Sequence, residues 1–170
     1  ANFANTATDS ATVRIGRYPD KDKLTVSAKQ KSVTYNGEKQ EYSGQITVMG
    51  HGKAVSDYTI TKTYYHGREQ LAEAPVDAGT YEVHITVSSN NYEYPAECTA
   101  EFTITRRPVT VKLTAQKPFG VKDKENLGLD LTDAKFYTGL AAKDVQDGKV
   151  TVFEGLSITR DAGEVVGRYP

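Results

Sequence analysis

At 170 residues the chain has room for one large domain or two small ones. Its 38% hydrophobic content and mean hydropathy of -0.55 are thin for a compact enzyme but suit paired sheets, which bury every second residue. Twenty-one basic residues against 22 acidic ones, without long runs of either, exclude an electrostatic footprint for nucleic acid or an anionic membrane, and a lone cysteine excludes an internal disulfide. No apolar run approaches the roughly 18 residues of a membrane span, and no signal-peptide pattern is present.

The head of the chain repeats a later stretch. Shifted by 89 positions, Asn2, Ala7, Ala11, Ile15, Arg17 and Pro19 fall on Asn91, Ala96, Ala100, Ile104, Arg106 and Pro108. These six identities compare with about one expected from ordinary composition. Val13 on Phe102 keeps the inward apolar pattern. Residues 1–16 are therefore expected to be the terminal strand of a preceding repeat, cut from a tandem array.

A complete unit is then expected over 17–105. Leu24, Val26 and Ala28 alternate with polar residues as a first strand, and Val33 and Tyr35 have the opposite parity, so a bulge or turn is expected near Gln30-Lys31. Asn36-Gly37 is a turn signal. Ile46 and Val48 mark another strand, closed by Gly50-His51-Gly52. A longer strand over Tyr58 to Tyr65 ends at His66-Gly67, and an edge strand is expected at Leu71 to Val76, where Pro75 removes a donor. The chain then enters its most regular stretch, Val76 to Val87. Tyr81, Val83, Ile85 and Val87 share one face and Glu82, His84 and Thr86 the other. Ser88 to Asn91 is a turn, and Ala96 to Thr105 the closing strand, with Cys98 inward as a small hydrophobe. Short strands with turns every eight to twelve residues predict a sandwich.

Asp77, Gly79 and Tyr81 have the order of a tyrosine corner in an immunoglobulin-like sandwich, in which a strand-F tyrosine returns its hydroxyl to the backbone two residues before a core position, here Val83. Asp161, Gly163, Gly167 and Tyr169 repeat the pattern near the other end. After Arg106-Arg107-Pro108 the strand pattern restarts with Val109, Val111 and Leu113. Lys117-Pro118-Phe119-Gly120 closes that strand, a loop is expected over Val121 to Asp133, and short strands at 135–137, 150–153 and 156–159. Pro170 stands where a further strand should begin, so the unit 106–170 is expected to be C-terminally truncated by two strands.

This second unit resembles the MBG-type repeat of bacterial surface proteins, through Arg-Arg-Pro-Val-Thr-Val at its start, Lys117-Pro118-Phe119-Gly120, Gly139-Leu140 with Asp144-Val145 and Gly148, and the ending Arg160 to Tyr169. The unit before it is similar to the immunoglobulin-like repeats that accompany that module, through Val33-Thr34-Tyr35-Asn36-Gly37 and Asp77-Ala78-Gly79-Thr80-Tyr81. The resemblance implies an all-β chain of tandem immunoglobulin-like antiparallel β-sandwich modules. It implies a non-catalytic, extracellular stalk of a bacterial cell-surface or secreted adhesin-like protein. Its partners are then the adjacent modules of the same chain and, in the alternative, a host or cell-surface glycan or protein. The resemblance brings no catalytic residue, cofactor or metal.

The residues themselves point the same way. His51 and His66 lie beside glycines in turns and His84 faces outward, without the spacing of a metal or acid–base site. The acidic clusters at Asp20-Lys21-Asp22 and Asp123 to Asn126 lack calcium-loop spacing and are interleaved with lysine. Eleven tyrosines without a tryptophan leave a rival reading, a carbohydrate- or protein-binding accessory module. In it, Tyr64, Tyr65, Tyr92 and Tyr94 present rings at exposed or rim positions; the alternative is that β-rich sequences favour half-buried tyrosine. A further expectation is strand exchange between copies, the 6–15 strand of one molecule completing the second unit of another.

Overall fold

The computed structural model describes residues 15–16, 23–153, 155–163 and 167. The expected strand at 6–15 and the ending at Tyr169 lie outside these, apart from Ile15. The chain is mostly β. Between Leu24 and Thr105 it forms two sheets around one hydrophobic cluster, and beyond Arg107 two small two-stranded sheets.

The first sheet holds β1 (Leu24–Ala28), β3 (Ile46–Gly50) and β4 (Lys53–Ala54) in the order β1-β3-β4. The second holds β2 (Lys31–Thr34), β5 (Thr59–His66), β6 (Glu69–Gln70), β7 (Gly79–Ser88) and β8 (Ala96–Thr105) in the order β2-β8-β7-β5-β6. The parity change near Gln30-Lys31 is neither a bulge nor a tight turn. The chain crosses there from one sheet to the other, and β2 runs parallel to β8 with Val33 opposite Ile104. The expectation of purely antiparallel pairing fails at this edge, because the crossing strand enters alongside the direction of β8.

The strand β7 alternates as its sequence dictates: Tyr81, Val83, Ile85 and Val87 are buried, and Glu82, His84 and Thr86 are not. It lies between β5 and β8, with Val83 opposite Tyr64 on one side and Ala100 on the other. Leu24 and Val48 of the first sheet join Val83, Ile85, Phe102 and Ile104 in the shared core. Tyr42 and Phe102 meet edge to face at 6.1 Å between ring centroids. Cys98 is half-buried against this core, and burial pushes its thiol up. The turn between β3 and β4 places both His51 (φ 56°) and Gly52 (φ 72°) left-handed, as a two-residue hairpin requires.

The edge strand expected over Leu71 to Val76 is not there. Pairing ends with β6, one turn earlier, because Gly67 (φ 63°) folds the chain back directly after β5. Only the Leu71 amide continues the ladder, donating to the Tyr64 carbonyl at 2.8 Å.

The second half is less regular than its sequence suggests. β9 is Thr110–Val111 alone and pairs with β10 (Tyr137–Thr138); β11 (Val145–Gln146) pairs with β12 (Lys149–Val150). A 3-10 turn at Ala134–Phe136 replaces most of the strand expected at 135–137, where the Asp133 carboxylate accepts from the Lys135 amide and favours a turn. The stretch 156–159 is not a strand, and that expected at 150–153 stops at Val150. Tyr137, Ala141 and Val150 are the buried hydrophobics of this half among the described residues. No helix among the described residues is long and apolar enough to cross a membrane.

Candidate functional site

The residues singled out by sequence are placed in three different ways. Tyr81 donates its hydroxyl to the Asp77 carbonyl at 2.8 Å, across the turn that Gly79 closes beneath the ring, and Val83 two residues on is fully buried. Burial pushes the Tyr81 phenol up, with the Asp77 carboxylate adding to the shift. In the second copy of the pattern, Asp161 and Gly163 present backbone carbonyls to the Arg160 guanidinium at 2.9 and 2.6 Å, Gly167 is exposed, and Tyr169 lies outside the described residues.

The four candidate ligand-contact tyrosines do not share a face. Tyr64 is a correction: its ring is buried in the core, because even-numbered positions of β5 point between the sheets, and its hydroxyl accepts from the Tyr42 amide at 3.0 Å. Tyr65 points the other way, against the His84 ring at 4.3 Å, and donates to Gln70 at 3.1 Å. Tyr92 is half-buried with its ring edge over Gly50, and Tyr94, 49% exposed, lies under the Lys23 ammonium at 5.7 Å. Tyr65 lies opposite Glu82 near one end of β7, whereas Tyr92 and Tyr94 follow its other end. Six residues of strand, about 20 Å, separate them.

Nor do the histidines converge. His84 meets Glu82 at 2.6 Å on the outer face, His66 stands beside the Tyr81 ring at 5.1 Å, and His51 sits in the β3–β4 turn. Among the described residues no group of three His, Cys, Asp or Glu side chains is placed to hold a metal ion. Two open clefts stand out among the described residues. One of about 300 Å³ lies between Tyr58 and Tyr92 at the β7–β8 end, and one of about 600 Å³ lies beside Lys62 and Leu71.

The most organised polar constellation lies where the second half meets the first. The Tyr35 hydroxyl donates to Asp144 Oδ1 at 2.7 Å across 109 residues of sequence. Asp144 is the buried charged residue of the described chain, 8% exposed. Its backbone is pinned on both sides, its amide donating to the Ala141 carbonyl at 3.1 Å and its carbonyl accepting from the Thr151 amide at 3.1 Å. Tyr35 is held in turn by its own amide, which donates to the Thr105 carbonyl at 2.9 Å. The hydrogen bond to Asp144 is the main reason the Tyr35 phenol is pushed up.

Two further contacts cross the junction, and others pack the start of the second half beside it. Gly37, left-handed at φ 81°, lies so close that a Cβ there would stand 2.8 Å from the Lys143 Cβ. Lys143 and Glu38 form an exposed ion pair at 3.4 Å. Arg107 donates from Nε to the Gly139 carbonyl at 2.5 Å, and Gly139 (φ 92°) lies against the Pro108 carbonyl, 2.5 Å from where its own Cβ would be. Sequence reading recognised Asn36-Gly37 as a turn and Asp144 as part of a repeat motif but did not join them. The available signal was a Lys143-Asp144 pair set between the apolar run Gly139 to Ala142 and Val145.

Comparison with known proteins finds no matching family model, no matching curated protein and no matching solved structure.

Proposed function

We propose that the chain is a non-catalytic spacer: an immunoglobulin-like sandwich over 17–105 followed by an MBG-type module over 106–170, part of the extracellular stalk of a bacterial cell-surface or secreted adhesin-like protein. The single observation that carries this reading is the Tyr35–Asp144 bond with the Gly37–Lys143 contact around it. A stalk transmits reach only if neighbouring modules keep a fixed angle. Linkers without contacts act as free hinges, whereas a half-buried charge-assisted hydrogen bond and a close backbone approach resist bending. Arg107-Pro108 adds stiffness, since proline fixes its own φ and disfavours helical geometry in the residue before it. Among the described residues the candidate tyrosines and the histidines are spread over the sandwich and do not gather at one place.

The test is small-angle scattering of the whole chain against Asp144→Ala and Gly37→Val. The wild type is expected to fit one shape. Each variant should broaden the distribution of radii, with the 24–105 core melting as before. A wild type already as broad as its variants contradicts the spacer reading.

A further inference from the structure

The second half exposes several large hydrophobics, two of which border one apolar face. Val111, Phe119, Val121, Val152, Phe153 and Leu156 are all exposed large hydrophobics, Phe119 by 74%. Two of them flank one buried ring. Tyr137 pairs with Val111 across β9–β10, and its ring stacks on Phe153 at 5.4 Å between centroids. In the first half the comparable position is filled: Phe102 and Ile104 of β8 are buried beneath Tyr42 and Tyr64. An exposed cluster of this kind beside unpaired edge strands marks an interaction surface.

We infer that this face receives residues 6–15 of a second copy of the chain, laid down as an added strand. This inference stands apart from the spacer reading. The occupant is identified by the repeat between 2–19 and 91–108, in which Ala7, Ala11, Val13 and Ile15 take the places of Ala96, Ala100, Phe102 and Ile104. Those are the inward residues of β8, all buried. Ile15 is 95% exposed and so is not engaged in its own molecule.

Geometry favours a second copy. The head enters at Leu24, opposite Gly50, which packs on Tyr92 in the turn before β8. The second half begins after Thr105, at the other end of that ten-residue strand, about 30 Å away. The nine steps from Ile15 to Leu24 span about 30 Å when fully extended, so a molecule's own head reaches the second half only at full stretch, a limit that a second copy does not meet. The contact is head to face and not self-complementary, and such contacts propagate into chains or close into rings.

The experiment is sedimentation velocity of the whole chain over a concentration series. The same series is run on a head variant, Val13→Asp with Ile15→Asp. A synthetic peptide of residues 2–16 is then added to that variant. The wild type is expected to associate with rising concentration, and the head variant to associate about tenfold more weakly or less. The peptide should move the Val111, Tyr137 and Phe153 resonances. A wild type that stays monomeric overturns the inference. So does association undiminished in the head variant, which would mean face-to-face contact, or a peptide that leaves those resonances unmoved.

Discussion

At the scale of single residues, two kinds of polar contact differ in what they hold. The Tyr81 hydroxyl is half-buried and satisfies the Asp77 carbonyl, so Tyr81→Phe should cost about 1 kcal/mol of stability in urea unfolding. Tyr65→Phe removes an exposed bond to Gln70 and should cost clearly less; equal losses would contradict the placement. The carboxylates Asp123, Asp130 and Asp133 form a second group. Hydrogen bonds from Lys117, Lys149 and Lys135 respectively, each the largest cause, hold them below their ordinary value of 3.8. A carboxylate depressed by folding stabilises the fold above its unfolded value and loses that contribution as the pH falls toward the folded one. All three lie beyond Arg107, so acidification from about pH 5 to about pH 3 should loosen residues 109–153 before 24–105. Amide exchange measured at the two pH values checks this, and uniform loosening would contradict it.

At the scale of elements, the core strands were the legible part of the sequence. β7 and β8 alternate strictly, and a one-residue slip would turn Val83, Ile85, Phe102 and Ile104 into water, so their faces follow from pattern alone. Phe102→Ala should accordingly cost about 3–5 kcal/mol and melt 24–105 as a unit, readable by circular dichroism. Melting confined to one sheet would show that the two do not share a core. What pattern could not show was which sheet a short strand joins. Lys31 to Thr34 reads as a strand in any register, and only the partner, β8, makes it parallel. In the second half, the two-residue strands and 3-10 turns arise from local bonds such as Thr132 to Asp130 and Lys135 to Asp133, which compete with the ladder and override alternation. The tyrosine pair Tyr64-Tyr65 was misread for a simple reason: adjacent residues of a strand face opposite ways, so one of the two had to enter the core.

At the scale of the whole molecule, the junction decides how the chain behaves. Its central bond has a pH signature of its own. The Tyr35 phenol is raised above 10.0 first by its bond to Asp144, so the stabilisation is fully present below that value and is lost as the pH climbs through the raised one. Burial raises Tyr42, Tyr64 and Tyr81 as well, so the core loosens in strong base too. Asp144→Ala should shrink the junction's alkaline transition, to which burial and Asp77 also contribute, while leaving that of the core in place, as followed by Lys143 and Glu38 resonances. At neutral pH that variant leaves a phenol without its acceptor and should weaken the docking of the two halves by about 1–3 kcal/mol. The most direct measurement of the spacer reading is a set of residual dipolar couplings from the wild-type chain in dilute alignment medium. One common alignment tensor for residues 24–105 and 109–153, splitting into two in Asp144→Ala, is the predicted result; two unrelated tensors in the wild type would contradict it.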